Sequence, residues 1–266
     1  MSNLPIRRIT QDLFLELNDN NIDYCHWKSN EHLYEGMTGE TDLDILLNKR
    51  DELHFKKIVA KYGFIKLNSQ FGSRYYDIED WVGMDNDTGA LIHIHLHYRL
   101  ATGHTGMKEF SLPWTDGVLN NKIKDKNLNV YICPPNYELV CLFTRIALKA
   151  KVKDIIRSSF GIYRISNNDH REIIYLINRV NNDEVKKICN ISFNMGNKVF
   201  EIISNTDLDG FKLNELRRAI LKDMCQCRII NGYKYIFSRM FYYPVVTLRG
   251  FLRRRLNMCI ITMKTI

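Results

Sequence analysis

The sequence has no long apolar run of the kind that crosses a membrane or directs secretion. None of its 266 residues lies in an uninterrupted apolar stretch of about 18 to 20, the length that a bilayer-spanning helix needs. The opening segment from Met1 to Arg8 also lacks the apolar core of a signal peptide. We therefore expect a cytoplasmic protein.

A metal-binding arrangement of cysteines is missing from the sequence. The seven cysteines are scattered, and their only close pairs are Cys225/Cys227 and Cys133/Cys141. This spacing matches no four-ligand zinc motif. It predicts reduced thiols in the protein core, as is usual in a cytoplasmic protein.

Negative charge is almost missing from the C-terminal fifth of the sequence. From Arg217 to Ile266 there are 11 Lys/Arg and one acid, Asp223, a local net charge of +10, whereas residues 1–216 carry a net of −2. The body is therefore close to neutral and offers no broad basic surface for phosphate backbones. Nucleic acid is not expected as a partner of residues 1–216.

The basic C-terminal segment interleaves aromatic and basic side chains between residues 233 and 256. This pattern is typical of a segment that lies on an anionic membrane surface, with its aromatic rings in the interface. A helix packed on the body with a solvated basic face is the alternative, and nucleic-acid phosphate is a third reading. The first reading predicts peripheral contact with the inner face of the membrane through residues 233–256.

The periodicity of apolar residues divides the chain into two halves. Up to Pro134-Pro135 it alternates between helical and extended patterns, and beyond that point it is helical throughout. We therefore predict an α+β domain at 1–135, an all-helical domain at 136–230 and a basic aromatic helix or tail at 231–266. The predicted strands are 22–27, 41–47, 73–84, 90–100 and 129–133.

The residues that carry chemistry lie in a polar turn and in the strand that follows it. Asp42 and Asp44 are separated by one residue, so their carboxylates share one face of the strand and are positioned to hold a divalent cation. Lys28, Ser29 and Asn30 precede them, and a small hydroxyl with nearby backbone N–H groups suits a phosphate. This order favours metal-assisted phosphoryl or nucleotidyl transfer.

These segments resemble a known superfamily. Ser29 followed by Asp42 and Asp44 is similar to the nucleotidyltransferase pattern, in which a small turn precedes an acid-apolar-acid strand. The segments HWKSN at 26–30, TDLDIL at 41–46 and IHLHYRL at 94–100 look like the uncharacterised nucleotidyltransferase-like proteins of bacterial surface-polysaccharide clusters. Some of those relatives carry a thymidylate-kinase-like P-loop domain, but this sequence has no Gly-x-x-x-x-Gly-Lys-[Ser/Thr] motif.

The resemblance implies a fold, an activity and a set of site residues. It implies a nucleotidyltransferase-like small mixed β-sheet flanked by helices, with Asp42 and Asp44 as catalytic residues that hold Mg²⁺ or Mn²⁺. Lys28, Ser29 and Asn30 would contact an NTP donor. The acceptor would be a sugar, sugar phosphate or lipid-linked glycan used in capsule or lipopolysaccharide assembly. We therefore expect an enzyme.

One position departs from the superfamily pattern. The third acid of the pattern falls at His95, inside the alternation His93, His95, His97. His95 is therefore predicted as a metal ligand or as the proton acceptor for an attacking hydroxyl, because imidazole titrates near neutral pH. Asp77 and Glu79, on the preceding strand, are the candidates for a replacement carboxylate.

Each site residue also has a structural interpretation that involves no substrate. Ser29 suits a plain helix N-cap, Lys28 a surface position and Trp27 core packing. The missing third acid motivates a different class of function, a non-catalytic accessory protein that keeps the fold and recruits polysaccharide enzymes to the membrane surface. An RNA-directed or toxin-like nucleotidyltransferase is a weaker alternative, because the body is slightly acidic.

Overall fold

The computed structural model describes residues 4–68, 75, 77–104, 107–205, 211–230 and 240. The predicted basic segment at 231–266, and with it the predicted membrane contact, lies outside the described residues apart from Met240. Within the described part of the chain, no helix has both the length and the apolar character needed to cross a membrane.

Among the described residues, strands and helices both occur up to residue 132, and only helices occur from residue 135 to residue 226. The strands are β1 Tyr24–His26, β2 Leu43–Leu47, β3 Ile65–Leu67, β4 Ile78–Met84, β5 Leu91–His97, β6 Leu100–Thr102, β7 Phe110–Leu112, β8 Ile123–Lys124 and β9 Tyr131–Ile132. The helices are α1 Arg8–Asp19, α2 Leu33–Thr38, α3 Glu52–Lys61, α4 Thr115–Asn120, α5 Pro135–Lys149, α6 Val152–Ser159, α7 Asn167–Ile177, α8 Asn182–Ser192, α9 Gly196–Ser204 and α10 Leu213–Gln226. The predicted α+β class, a small mixed sheet flanked by helices and followed by a helical region, is confirmed.

The main sheet has seven strands in the order β3-β4-β5-β2-β1-β9-β8. Strand β2 runs parallel to β5 and antiparallel to β1, and β4 runs antiparallel to β5. The central strands β2 and β5 are mostly buried, so their apolar side chains fix the register. This register sets Asp44 opposite His95, and His95 opposite Asp80.

Amphipathic helices cover one face of the sheet. Helix α1 buries Leu13, Phe14 and Leu17, which recur at the three- and four-residue spacing of one helix face. Helix α3 buries a similar stripe, and both stripes belong to one apolar core with the side chains of β2 and β5. The opposite faces of these strands remain available for polar residues.

A second core joins the sheet to the helical half. Helix α5 begins at Pro135, a residue suited to the first helical position, and every residue from Glu138 to Leu148 is buried. The core around α5 includes Trp27 and Leu46 from the sheet as well as apolar residues of α7, α8, α9 and α10. Helix α5 is thus the central element on which the two halves meet.

Several short elements were not predicted from the periodicity. Among the described residues these include helices α4, α6 and α9 and strands β3, β7 and β8; α4 falls where the sequence reads as a polar loop after Trp114. The predicted strand at 90–100 also divides, because the chain leaves β5 after His97 and resumes as β6 at Leu100. These elements are short, so tertiary packing decides them more than local pattern does.

Candidate functional site

Three neighbouring strands bring the predicted acids and histidines onto one face of the sheet. Asp44 lies on β2, His93 and His95 on β5, and Asp80 on β4, with Asp42 directly before β2. Because side chains alternate between faces every residue, the i, i+2 spacing of both the aspartates and the histidines keeps them on the same side. The predicted grouping of Asp42 and Asp44 with the histidines is therefore present in the structure, and Asp80, which was not predicted, joins it.

Asp44 is the most heavily contacted carboxylate of the site. Its Oδ1 atom lies 2.8 Å from Lys28 Nζ, 3.1 Å from His95 Nδ1 and 3.4 Å from His97 Nε2. The side chain is only 15% exposed. Burial alone would raise the pKa of Asp44, but the charge of Lys28 and the contacts with the His95 and His97 rings hold it well below the usual value.

His93 links the other two carboxylates. Its Nδ1 lies 2.7 Å from Asp42 Oδ1, and its Nε2 lies 3.1 Å from Asp80 Oδ1. The hydrogen bonds to Asp42 and Asp80 raise the pKa of His93 to about 10. Burial alone would raise the pKa of Asp80, but the hydrogen bond from His93 and the nearby histidines lower it, so this carboxylate is ionised near neutral pH.

His97 occupies the innermost position of the site. It is fully buried, and its ring meets the buried ring of Trp27 edge-on at 5.2 Å between centroids. Burial lowers the pKa of His97 to about 3, so the imidazole is neutral. The predicted packing role of Trp27 agrees with its complete burial.

The turn that precedes the aspartates makes contact with the helical half. Ser29 has a left-handed backbone, with φ of 54°, and its N–H donates to Glu172 Oε1 at 3.2 Å. Its hydroxyl lies 3.4 Å from Glu172 Oε2 and makes no capping bond to the short helical turn that follows. The N–H and side-chain amide of Asn30 donate to the two carboxylate oxygens of Glu138, at 2.9 and 2.6 Å. The donors of Ser29 and Asn30, which the sequence analysis assigns to a phosphate, therefore bind carboxylate oxygens of Glu172 and Glu138 in the structure.

Behind this turn three carboxylates gather around one guanidinium group. Oxygens of Glu31, Glu138 and Glu172 lie within 4.8 Å of one another, and Arg145 Nη1 lies 3.4 Å from Glu172 Oε1. Burial raises the pKa of Glu138 to about 8, and burial with repulsion from Glu172 raises the pKa of Glu31 to about 7. One arginine does not balance three acids, so the cluster retains protons that free carboxyl groups would release.

Several basic side chains influence one another's charge near Lys28, which contacts Asp44. Burial lowers the pKa of Lys108 to about 8, assisted by the charges of Lys28 and Arg145. Lys149 keeps an exposed side chain, but the surrounding protein and the charges of Arg145, Lys108 and Lys28 lower its pKa to about 7. Mutual repulsion of this kind marks a locus of concentrated positive charge, which favours an anionic ligand.

The structure places a carboxylate at the site that the sequence analysis did not select. Asp80 lies opposite His95 in the β4–β5 pairing, whereas Glu79 projects to the other face and binds Lys56 and Lys66. Asp77 pairs with Arg99 at 3.6 Å, before β4 begins. The alternation along β4 identifies Asp80 only when its register with β5 is known, and the sequence does not give that register.

Comparisons with known proteins give little further information. No protein-family model and no curated protein matches this sequence. A solved structure of an antigenic nucleotidyltransferase-like protein from Paracoccidioides brasiliensis is 14% identical, with 87% of this chain and 99% of that chain covered, at a TM-score of 0.36. A TM-score of this size does not establish a shared fold.

Proposed function

We propose that this protein is an enzyme that transfers a nucleotidyl group from an NTP to a hydroxyl-bearing acceptor with the help of a divalent metal. One observation carries the proposal. Asp44 lies in direct contact with Lys28, where the acid-histidine cluster meets the basic side chains. A metal-bound triphosphate needs two kinds of group side by side. The metal needs oxygen or nitrogen ligands, and the phosphates need positively charged side chains.

The residues at the acidic end fit a divalent cation. Asp44, His95 and His97 each offer one ligand atom, and these atoms lie within 4.8 Å of one another. When bound, the metal would neutralise phosphate charge and orient the α-phosphorus for attack. Asp42 lies beside this group and is 58% exposed, so it is accessible to a substrate.

The basic end fits the phosphates of the donor. Burial is the main cause that lowers the pKa values of Lys108 and Lys149, and the positive charge of Lys28 lowers both of them further, so positive charge is concentrated here. A polyphosphate would relieve this repulsion and would raise the pKa values of Lys108 and Lys149. The same residues would stabilise the charge of the pyrophosphate that leaves.

The transfer itself needs a proton acceptor beside the attacking hydroxyl. In the proposed step the acceptor oxygen forms a bond to the α-phosphorus, the bond from this phosphorus to its bridging oxygen breaks, and pyrophosphate leaves. Asp80 is ionised, 42% exposed and held by His93, so it is positioned to receive the hydroxyl proton. Asp80 thus takes the role for which the sequence analysis considered His95, Asp77 and Glu79.

The identity of the acceptor is supported only by the sequence resemblance described above. It favours a sugar, a sugar phosphate or a lipid-linked glycan of bacterial surface-polysaccharide synthesis. The accessory, non-catalytic alternative was motivated by a missing third acid. Asp80 supplies an acid beside His95, so that argument no longer favours it.

Asp44→Asn tests the proposal. Each NTP is titrated calorimetrically with Mg²⁺ or Mn²⁺, and transfer is followed by release of pyrophosphate with sugar and sugar-phosphate acceptors. We expect the wild type to bind one NTP in a metal-dependent manner. We also expect loss of at least about a hundredfold of the transfer rate in Asp44→Asn, since a metal-centred charge interaction is removed.

Matched variants separate catalysis from folding. Asp116→Asn changes an exposed aspartate on α4 and should leave binding and transfer unchanged. Circular dichroism verifies the fold of Asp44→Asn. Full transfer by folded Asp44→Asn would refute the assignment, and absence of NTP binding by the wild type would favour the accessory role.

A further inference from the structure

We propose that Asp44 Oδ1, His95 Nδ1 and His97 Nε2 form a binding site that takes a transition-metal dication, of the class of Mn²⁺, Fe²⁺, Co²⁺ or Zn²⁺, in preference to Mg²⁺. The inference deepens the proposed function, because it names the metal class of the same site. It assigns the ion to the inner three residues of the cluster. Asp42 and His93 lie outside this set.

The spacing of the three atoms matches the edges of a metal coordination shell. Asp44 Oδ1 lies 3.1 Å from His95 Nδ1 and 3.4 Å from His97 Nε2, and the two nitrogens are 3.3 Å apart. For an ion with bonds of about 2.0 to 2.1 Å, neighbouring ligand atoms in a tetrahedron are separated by about 3.3 Å. The triangle therefore needs almost no rearrangement to accept an ion.

Hydrogen bonding alone does not explain this triangle well. A carboxylate oxygen has two lone pairs, yet Lys28 Nζ, His95 Nδ1 and His97 Nε2 all approach the same oxygen of Asp44. The two ring nitrogens also face each other, and two N–H groups pointing at each other would repel. At least one of the two ring nitrogens therefore lacks a proton in this arrangement, and it carries the lone pair that a metal ligand needs.

The donor set decides which metal class is preferred. Two imidazole nitrogens and one carboxylate oxygen suit first-row transition metals, and the combination of two histidines with one carboxylate is a known facial arrangement for such ions. Mg²⁺ prefers oxygen ligands in an octahedron and retains several waters. His97 is fully buried beside Trp27, so on that side an imidazole nitrogen and not a solvent oxygen faces the ion.

Lys28 acts as the resident cation of the site in the absence of metal. Its ammonium group lies 2.8 Å from the oxygen that would bind the ion, and its side chain is 14% exposed. A dication at the triangle would repel Lys28 toward the basic side chains, where a triphosphate would receive it. Lys28 thus couples metal binding to nucleotide binding.

The test is direct titration of the full chain with Co²⁺, Zn²⁺, Mn²⁺ and Mg²⁺ in the absence of nucleotide. We expect one equivalent of Co²⁺ or Zn²⁺ to bind at least about a hundredfold more tightly than Mg²⁺. The visible absorption of bound Co²⁺ should show nitrogen and oxygen ligands, and no thiolate charge-transfer band. His95→Gln should abolish the Co²⁺ spectrum, and His54→Gln, at an exposed position on α3, should preserve it.

Two further variants keep the test decisive if His95→Gln is unstable. Lys28→Met removes the competing ammonium, so we expect Co²⁺ to bind about tenfold more tightly and NTP to bind more weakly. His93→Gln should keep the Co²⁺ spectrum. Loss of the spectrum in His93→Gln with retention in His95→Gln would place the ion at Asp42 and Asp80 and overturn the assignment.

Metal affinity and nucleotidyl transfer are measured separately, so the metal assignment and the proposed function, on which it rests, can be refuted independently. Equal affinity for Mg²⁺ and Co²⁺, or Co²⁺ binding unchanged in His95→Gln, would refute the metal assignment even if nucleotidyl transfer is observed. Tight Co²⁺ binding that depends on His95, without transfer from any NTP, would leave the metal site established and refute the function. Binding is read from spectra and heats, and function from pyrophosphate release.

Discussion

At the scale of single residues, the buried carboxyl groups behind the turn control the pH dependence of stability. Glu31 is only 12% exposed, and the charged group that shifts its pKa most is another acid, Glu172. Burial and this repulsion raise its pKa from 4.5 to about 7. Burial also raises the pKa of Glu138, to about 8. The folded protein therefore holds protons that the unfolded chain releases above pH 4.5.

The sign of the resulting pH effect follows from linkage. A group whose pKa is raised in the folded state contributes stability that is present below its unfolded pKa and is lost as pH rises through the folded value. Glu31→Gln keeps the neutral form at every pH. We therefore expect little difference in the free energy of unfolding at pH 4.5, and a gain of about 2 kcal/mol over the wild type at pH 8.

Urea unfolding at the two pH values checks this prediction. Glu201→Gln, an exposed position on α9, is the matched control and should show no pH-dependent difference from the wild type. An equal effect of Glu31→Gln at pH 4.5 and pH 8 would show that Glu31 does not retain its proton in the folded state.

At the scale of elements, the turn after β1 fastens the sheet to helix α5. Asn30 Oδ1 lies 2.6 Å from His26 Nδ1, while the backbone and side-chain nitrogens of Asn30 donate to Glu138. Asn30 and Glu138 are both buried, so these bonds are shielded from water. The turn that positions Lys28 beside Asp44 is therefore held by the helical half.

Asn30→Ala should weaken this connection. It leaves a carboxylate oxygen of Glu138 and a ring nitrogen of His26 buried without a partner, which costs about 2 to 3 kcal/mol of unfolding free energy. Because the turn also carries Lys28, NTP affinity should fall in the folded variant. Urea unfolding and calorimetry measure the two effects.

Asn127→Ala is the matched control for this prediction. Asn127 is exposed in the turn between β8 and β9, so its removal should leave both stability and NTP affinity close to wild type. Wild-type stability of Asn30→Ala would show that the contacts with Glu138 contribute nothing net.

At the scale of the whole molecule, the apolar core around α5 crosses the boundary predicted at residue 135. Trp27 and Leu46 of the sheet, and Phe110 and Trp114 from the segment that follows it, are buried with residues of α5 to α10. Removing the helices would expose these side chains to water. The exposed area would form one contiguous apolar patch, which isolated soluble domains avoid.

Residues 1–135 produced alone should therefore fail to fold cooperatively. We expect the fragment to show no sharp thermal transition and to bind a hydrophobic dye, whereas residues 1–230 should unfold in one transition. Calorimetry and dye fluorescence distinguish the two. A cooperative transition of the fragment near that of the longer chain would show that the sheet folds independently.

Prediction from sequence succeeded where the pattern is local and strong. The stripe of Leu13, Phe14 and Leu17 indicates α1, and the alternation of Asp42 and Asp44 indicates a strand with acids on one face. The histidine alternation likewise places His93 and His95 on one face of β5. Short elements such as α6 and the β6–β7 hairpin were missed, because few residues define them and packing decides them.

The sequence by itself determined which residue types share a face, because the repeat of two along a strand and of about 3.6 along a helix is a local property of the backbone. Only the tertiary structure decided which faces meet. The parallel pairing of β2 with β5 sets Asp44 against His95, and the antiparallel pairing of β4 brings Asp80 to them. The packing of α5 and α7 delivers Glu138 and Glu172 to the turn. These contacts join residues far apart in sequence. A shift of one residue in strand register would turn every side chain to the opposite face, so the register is fixed by the burial of the whole sheet.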